Sequence, residues 1–549
     1  MKLRKILFVA ALPVILLQGC TGSKEIRPTK NLIVMITDGT STSLLSVARW
    51  YKRHIADSME LALNMDPYLC ALVSTNESDA PVTDSAPAMS AYMTGVRSRA
   101  GNLSIYPEPT LQDLYPQDSS MAWRPAATVM EAAMLLQGKA AGLVATVPFC
   151  HATPAATCAH AGTRSFPRLA LQMASYAPEV VFAGGTAVLT GEARALLDAS
   201  GTTVLTDDAE GFRNFEGDRL WALWNDELMD FEIDRDDADE PSIAEMTAKA
   251  ISILSKNKKG FFLMVEGSKV DFGAHSNDVM ETVGDFLAFD EAVGVALDFA
   301  RRDGNTTVVI LPDHGNSGIT MPDKNLKKYT RASLEKILEG MSDIRTSSYK
   351  LSQILQQTAP EGIKDAFREH TGIDLTAEEL ALIHKYSGVT EGDYTKIAEN
   401  WNLQKVIVDI CNSRMHIGFT SGNHTAEDVF LAVYNPRGQR PQGVISNVEL
   451  NGYLRGVLGL KKPLRALTEQ IFAPYDEVFP ADSCSIDPDR SKPVLTVRDG
   501  GRTLRFPGWK NIVYIQRGSS TDSVYTRSPA VYMRQNQMFY IDRTLAETL

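Results

Sequence analysis

The sequence predicts an α/β fold: a mostly parallel central sheet flanked by helices, with a helical cap insertion and a small β-rich C-terminal region. Three observations predict it. Short apolar runs at residues 31–36, 141–147, 261–265, 306–311 and 429–434 have the length of buried strands, and four of them lead into polar loops. Stretches with helical spacing lie between them, and strands alternating with helices argue a parallel sheet covered on both faces. From about Arg490 the pattern changes to a period of two, as in alternating strands. Composition agrees with this reading. A chain of 549 residues with 44% hydrophobic and 22% charged side chains is an ordinary globular one, which excludes disordered, collagen-like and coiled-coil proteins. The net charge of −12 gives no electrostatic footprint for nucleic acid, so an anionic ligand has to be met by local cations.

In chain order, Lys2, Arg4 and Lys5 precede an apolar run over residues 6–17, long enough for an export signal and too short to span a bilayer. Leu17-Gln18-Gly19-Cys20 closes that run and resembles a bacterial lipobox, in which Cys20 would carry the lipid. Residues 1–20 are therefore expected to be a lipoprotein signal and 21–30 a tether. The mature chain is expected to be exported and lipid-anchored, periplasmic or associated with the outer membrane. Residues 31–323 and 412–489 form the predicted catalytic domain. Within it, Val279, Val283, Phe286, Leu287, Val293 and Leu297 recur near helical spacing, and Gly304 is a stop signal. Residues 206–240 carry fourteen acidic side chains against three arginines, interleaved with Phe212, Trp221 and Trp224. This reads as a solvated surface with core anchors, the other reading being an extra hard-cation site. Residues 324–411 read as short helices, one opened by a capping box at Thr376-Ala377-Glu378-Glu379, and form a predicted cap between His314 and His424. Residues 490–549 hold ten Lys/Arg and four Asp/Glu, with Asp499-Gly500 as a hairpin turn.

Export permits disulfides. Beyond Cys20 the cysteines are Cys70, Cys150, Cys158, Cys411 and Cys484, an odd number. Cys150 and Cys158 are near enough in sequence to pair, though spacing does not establish a bond. There is no Cys-x-x-Cys, which argues against a thiolate zinc site.

The chemistry-bearing residues collect where strands end, and that is where such sheets bind ligands. Ser85, in Thr83-Asp84-Ser85-Ala86-Pro87, precedes a helix-compatible run that Gly95 ends, so it sits near a helix N-cap. Free N–H groups and the dipole favour anions there. A serine hydroxyl needs a base or a metal to act as a nucleophile. Asp271 and His275 are four apart and share one helical face. Asp313-His314 follows a strand, His424 can complete a set of three, and Asp38 and Glu266 add carboxylates. Oxygen and nitrogen donors without thiolate suit catalytic zinc with open positions.

Taken together, Asp38-Gly39, Thr83-Asp84-Ser85-Ala86, Ala152-Thr153-Pro154-Ala155-Ala156, Val265-Glu266-Gly267, Asp271 with His275, Asp313-His314 and His424-Thr425 resemble the alkaline phosphatase family of metal-dependent phosphomonoesterases. The motifs occur in the family's order and span roughly residues 31–436. The resemblance implies two Zn2+ and one Mg2+ per subunit. One zinc would be held by Asp271, His275 and His424, the second by Asp38, Asp313 and His314 with Ser85 bound to it. Asp38 would bridge to a magnesium completed by Thr153, Glu266 and water. Ser85 would be the nucleophile of a phosphoserine mechanism and Arg164 the phosphate clamp, its planar fork suiting two oxygens. A homodimer acting on small phosphate monoesters is also implied. Three positions depart from some relatives: His151 near the magnesium, Phe272 beside the phosphate, and Asn316 behind the zinc ligands. Phosphodiesterases and sulfatases share the scaffold, but the sulfatase motif expects an arginine at Met89. A non-catalytic surface lipoprotein would require neither Ser85 nor Arg164.

Overall fold

The computed structural model describes residues 26–56, 61–387, 397–487, 489 and 492–549. The predicted signal, Cys20 and half of the tether lie outside the described residues. Ten strands make the central sheet: β1 (Asn31–Thr37), β2 (Leu69–Ser74), β3 (Ala140–Pro148), β4 (Val180–Gly184), β5 (Thr203–Thr206), β6 (Leu220–Trp224), β7 (Phe261–Gly267), β8 (Thr306–Leu311), β9 (Val429–Tyr434) and β10 (Gly443–Ser446). Their order in space is β10-β2-β9-β8-β1-β7-β3-β4-β6-β5. Of these, β9 runs antiparallel to both neighbours and the other pairings are parallel. The five apolar runs are β1, β3, β7, β8 and β9. Among the strands the pattern did not reveal, β5 and β10 are four-residue edges, and β6 is an apolar five-residue strand inside the acidic stretch.

β1 is buried along its whole length between β7 and β8, which is why it carries no polar alternation. Its side chains still divide by parity. Ile33 and Met35 enter one core, with Phe286 and Val293 of the helix Val279–Asp303. Leu32, Val34 and Ile36 enter the other, with Met89 and Tyr92 of the helix Ser85–Thr94. The helix Val279–Asp303 starts on Asp278, whose carboxylate accepts from the N–H groups of Met280 and Glu281. It ends on Gly304 at φ 66°, the left-handed conformation predicted for a stop glycine.

The cap consists of the helices Leu334–Ile337, Ser348–Gln357, Ile363–Thr371, Ala377–Tyr386 and Ile397–Asn412. Thr376 and Glu379 make the predicted capping box. Leu351, Leu355, Phe367, Leu403 and Ile407 pack into the same core as Ile33 and Met35, so the cap extends the main core. The C-terminal strands are β11 (Ala473–Pro474), β12 (Cys484–Ile486), β13 (Val494–Asp499), β14 (Arg502–Pro507), β15 (Lys510–Arg517), β16 (Ser520–Met533) and β17 (Met538–Ile541). They form a separate antiparallel sheet in the order β11-β17-β16-β15-β14-β13-β12. This sheet draws in two short strands ahead of residue 490. Val531 and Tyr540 reach the core beside Leu169 and Met173 of the helix Phe166–Tyr176, which docks this sheet on the helices of the central one.

Cys70, Cys150, Cys158, Cys411 and Cys484 are all free thiols, and burial pushes the Cys158 thiol up to about 12. In the acidic stretch, Phe212, Trp221 and Trp224 are buried while Arg213 pairs with Glu245 and Arg235 with Glu232 and Asp237. Among the described residues no helix is long and apolar enough to cross a membrane.

Candidate metal centre and active site

Parallel register brings the predicted residues to one edge. Ile36 lies beside Glu266 on β7 and Leu311 on β8, so Asp38, Glu266 and Asp313 all emerge at the carboxyl ends of adjacent strands. Gly39 makes the approach possible. It has φ 57°, and a Cβ there would stand 1.9 Å from Asp271 Oδ1, so side chains are excluded twice over. Its N–H donates to Asp313 Oδ1 at 3.1 Å.

Two sets of ligand-competent side chains result: Asp271, His275 and His424, and Asp38, Asp313 and His314. In the first, His275 donates Nδ1–H to Gly422 O at 2.9 Å, and His424 donates Nδ1–H to Thr83 O at 2.8 Å, since a carbonyl only accepts. Both Nε2 lone pairs then face each other at 3.0 Å, with Asp271 oxygens at 3.3 and 3.6 Å. Two lone pairs at that distance repel unless a proton or a metal cation lies between them. In the second set His314 Nε2 is 3.5 Å from both Asp38 Oδ1 and Asp313 Oδ2. The His314 and His424 rings stack at 3.8 Å, so the two sets share a wall.

A third group lies deeper. Thr153 and Glu266 are fully buried beside Asp38, and Thr153 Oγ1, both Glu266 oxygens and Asp313 Oδ2 lack hydrogen-bond partners of normal geometry. Orphaned buried oxygens of this kind are costly unless a cation meets them. Carboxylate and hydroxyl oxygens fit a hard ion such as magnesium, and the imidazole-rich sets fit zinc.

Protonation reports the same strain. Burial, then the charges of Asp313, Asp271 and Glu266, holds the Asp38 carboxyl well above the usual carboxylate range. Burial, then Asp313, pushes Glu266 up to about 8. For Asp271 burial acts upward, but the hydrogen bond and charge of His275, with His314 and His424, leave it below its ordinary value. Burial opposes charge on His275, yet Asp271 raises it to about 9, while burial and the neighbouring His314 lower His424. His151 is lowered to about 4 by burial, then by Arg164, so it stays neutral.

Ser85 is the first residue of the helix Ser85–Thr94, and the N-cap is Asp84, whose carboxylate accepts from Ser85 N–H at 2.9 Å. Ser85 thus stands beside the cap, where the sequence places it, and its hydroxyl is not spent on capping. With Ser85 N–H taken and Pro87 lacking one, the helix end contributes its dipole more than free N–H groups. Ser85 Oγ lies 3.1 Å from His314 Nε2 and 3.5 Å from Asp38 Oδ1. Asp84 also accepts from Arg164 at 2.9 Å, which fixes the guanidinium over the same cavity of about 890 Å³ that Ser85, His151, Asp271, Phe272, His275 and His424 line.

Sequence reasoning did not single out Asp84 as this double anchor, although an Asp before a helix start is an N-cap signal. It also missed Glu427, which accepts from Ser41 Oγ at 2.6 Å and Thr425 Oγ1 at 2.7 Å and so holds the loop after His424. Asn316, read only as a departure, donates to Asp271 Oδ1 at 2.7 Å. The far cavity wall takes Asp226, Asp230 and Asp234 from the acidic stretch and Tyr349 and Trp401 from the cap.

A family model described as alkaline phosphatase matches residues 29–177 and 200–460. The chain is 29% identical over 434 residues to alkaline phosphatase 4 of Bacillus subtilis (strain 168), covering 76% of this chain and 87% of that protein. It is 28% identical over 471 residues to the repressible alkaline phosphatase of Saccharomyces cerevisiae, covering 77% of this chain and 79% of the relative. Among solved structures, Thermus thermophilus alkaline phosphatase superposes with a TM-score of 0.68 at 26% identity, covering 82% of this chain and 96% of that one.

Proposed function

Because this chain belongs to the alkaline phosphatase family, whose members are metal-dependent phosphoric monoester hydrolases, we propose that it hydrolyses phosphate monoesters to an alcohol and inorganic phosphate through a phosphoserine on Ser85. The observation that carries this reading is the position of Ser85: first in its helix, 3.1 Å from His314 Nε2, and in one cavity with Arg164. Asp271, His275 and His424 would hold one zinc, Asp38, Asp313 and His314 the other, and Asp38, Thr153 and Glu266 a magnesium. Their unpaired oxygens and opposed imidazole lone pairs support that assignment. When bound, the ions supply positive charge that lowers the pKa of a hydroxyl and offsets charge on the attacking and departing oxygens.

The chain's own groups do the rest. The helix N-terminus aims its dipole at incoming phosphate, and Arg164 presents its fork while Asp84 keeps it in register. His275 and His424 are oriented by Gly422 O and Thr83 O, which keeps each Nε2 turned inward. Phe272 and the neutral His151 lean together, with ring centroids 6.3 Å apart, and narrow the apolar side of the cavity. Phosphoryl transfer is mostly positioning and charge neutralisation, and these residues supply both.

Lipidation at Cys20, export to the periplasm or the outer membrane, and assembly as a homodimer belong to the same reading. The lipobox supports the first two, and family resemblance supports the third.

The test is turnover of an aryl phosphate monoester by the purified chain, before and after chelation and after zinc and magnesium are restored. Monoester turnover that chelation abolishes and the metals restore is expected. Preference for the matching diester or sulfate ester would assign the site to another branch of the superfamily. Ser85→Ala is expected to keep its metals, lose acid-trapped phosphoenzyme and fall at least ~10³-fold in kcat. Phosphoserine trapped in that variant would overturn the nucleophile assignment.

A further inference from the structure

The end of the sheet opposite the active site carries a concentration of cations. Lys30 precedes β1, Lys139 precedes β3, and Lys259 lies two residues ahead of β7. Lys139 Nζ donates to Lys30 O at 2.5 Å and to Lys259 O at 3.0 Å, which draws the three segments into one surface. β9 runs the other way, so Arg437 arrives at this same end, where it donates to Asn305 at 3.2 Å. Arg27 and Lys461 line a groove of about 500 Å³ with Ile26, at the point where the described chain begins. Lys259, Arg437, Arg27, Lys461 and its neighbour Lys462 are exposed, as is the apolar Leu136. Several carboxylates at this end are engaged, while Asp198 and Glu216 are exposed. Asp303 accepts from Thr306 at 2.6 Å, Arg219 holds Glu179 at 2.9 Å, and Lys256 holds Asp218 at 3.1 Å. At the other end the cavity is lined by Asp84, Asp226, Asp230 and Asp234. A protein of net charge −12 is thus polarised along its strands.

The position of the lipidation motif gives this polarity a direction. Six residue steps separate Cys20 from Ile26, a reach of at most about 22 Å even fully extended. The seven residues of β1 place the catalytic edge roughly 23 Å beyond the basic end. A tether of that length brings the basic end to the bilayer without choosing its tilt. Charge makes the choice, because basic side chains are attracted to an anionic headgroup layer within a Debye length and acidic ones are repelled.

We propose that this basic end is a membrane-docking face, seated on anionic phospholipid headgroups, which holds the catalytic cavity pointing away from the bilayer. It rests on the reading that Cys20 carries a lipid. The ligand chemistry is the phosphodiester headgroup of a lipid surface, met by Arg27, Lys30, Lys259, Arg437 and Lys461, whose segments Lys139 ties together. The acidic cavity mouth is kept off that surface, where small phosphate esters reach it from solution.

The test uses the full lipidated chain, reconstituted on phosphatidylcholine vesicles with and without phosphatidylglycerol. Exposed amines are acylated with a membrane-impermeant reagent and read by mass spectrometry. On anionic vesicles acylation of Lys259, Lys461 and Lys462 is expected to fall at least about fivefold, the effect of one basic contact, and to recover at high salt. Lys350, ion-paired with Asp230 by the cavity, should stay as reactive as in detergent. Equal labelling of Lys259 and Lys461 on both vesicles would overturn the proposal. The triple variant Lys259→Glu, Lys461→Glu, Lys462→Glu should keep full monoester turnover in detergent, which establishes its fold, and lose the protection. Retained protection in that variant would also overturn the proposal. The mass of the N-terminal peptide separates the two readings. A chain without lipid that still sediments with anionic vesicles and protects these lysines supports the face and removes the anchor. A lipidated chain without protection keeps the anchor and removes the face.

Discussion

Asn316 holds Asp271 through a single amide. Its Nδ2 donates to Asp271 Oδ1 at 2.7 Å, and Ser317 Oγ donates back to its Oδ1 at 2.8 Å. Partners behind metal ligands set ligand orientation, and their loss costs about 10–100-fold in metal affinity. Asn316→Ala is therefore expected to weaken zinc binding by that factor, read by competition with a chromogenic chelator. Zinc affinity unchanged from the parent would show that Asp271 needs no such support. Glu240 makes a prediction of a different kind. Burial, then the charge of Asp230, pushes its carboxyl up to about 7, above the ordinary 4.5. A raised acid binds its proton more tightly when folded, so its contribution to stability is fully present below pH 4.5 and is lost as pH rises through about 7. Glu240→Gln removes the charge and keeps one oxygen, which can accept from Asn225 Nδ2 and, at 3.4 Å, from Asp230 N–H. Relative to the parent, its unfolding free energy should improve between pH 5 and 8 by an amount on the order of 3 kcal/mol. A difference independent of pH would contradict the assignment.

At the scale of elements, a buried polar knot adds to the apolar packing between the cap and the helix Val279–Asp303. Ser348, near the start of the helix Ser348–Gln357, donates Oγ–H to Glu281 Oε1 at 2.8 Å and accepts from Gln404 Nε2 at 3.1 Å. Glu281 belongs to the helix Val279–Asp303, and burial, then the charge of Asp278, keeps its carboxyl well above the usual range. Three elements thus meet on one hydroxyl. Ser348→Ala leaves two buried groups short of a partner, a cost of about 1–3 kcal/mol. Hydrogen exchange should quicken first in Ser348–Gln357, with Val279–Asp303 little changed. Uniform exchange across both helices would mean that apolar packing alone joins the cap. Glu281, Tyr349, Trp401 and Gln404 also line the catalytic cavity, so the knot shapes its far wall as well.

At the scale of the molecule, the carboxyl edge of the sheet gathers buried like charges that the fold alone does not neutralise. Burial and the charges of Asp313, Asp271 and Glu266 raise the Asp38 carboxyl, burial and Asp313 raise Glu266, and several oxygens of the group are unpaired. Ions bound only by the folded chain stabilise it by mass action, by about 4 kcal/mol per site at a thousandfold excess over Kd. Chelation is thus expected to lower the thermal midpoint by roughly 5 °C or more, with recovery on adding zinc and magnesium. An unchanged midpoint would mean that the acids carry protons in place of metal.

The amino-acid sequence by itself determined the class of fold, because fully buried parallel strands such as β1 must be apolar along their length and must end in loops. It also offered the candidate donors, because Asp271 and His275 are joined by local helical spacing and Asp313-His314 by adjacency. Helix limits such as Asp278 and Gly304 were legible for the same reason: caps are local chemistry. Only the tertiary structure decided what depends on distant segments meeting. The opposition of His275 and His424 across 149 residues, the release of Ser85 from capping by Asp84, and the Asn316 bond to Asp271 are contacts of this kind. The sheet order decided the rest. It sends Asp38, Glu266 and Asp313 to one end and Lys30, Lys139 and Lys259 to the other, a polarity that net charge conceals because a sum carries no position.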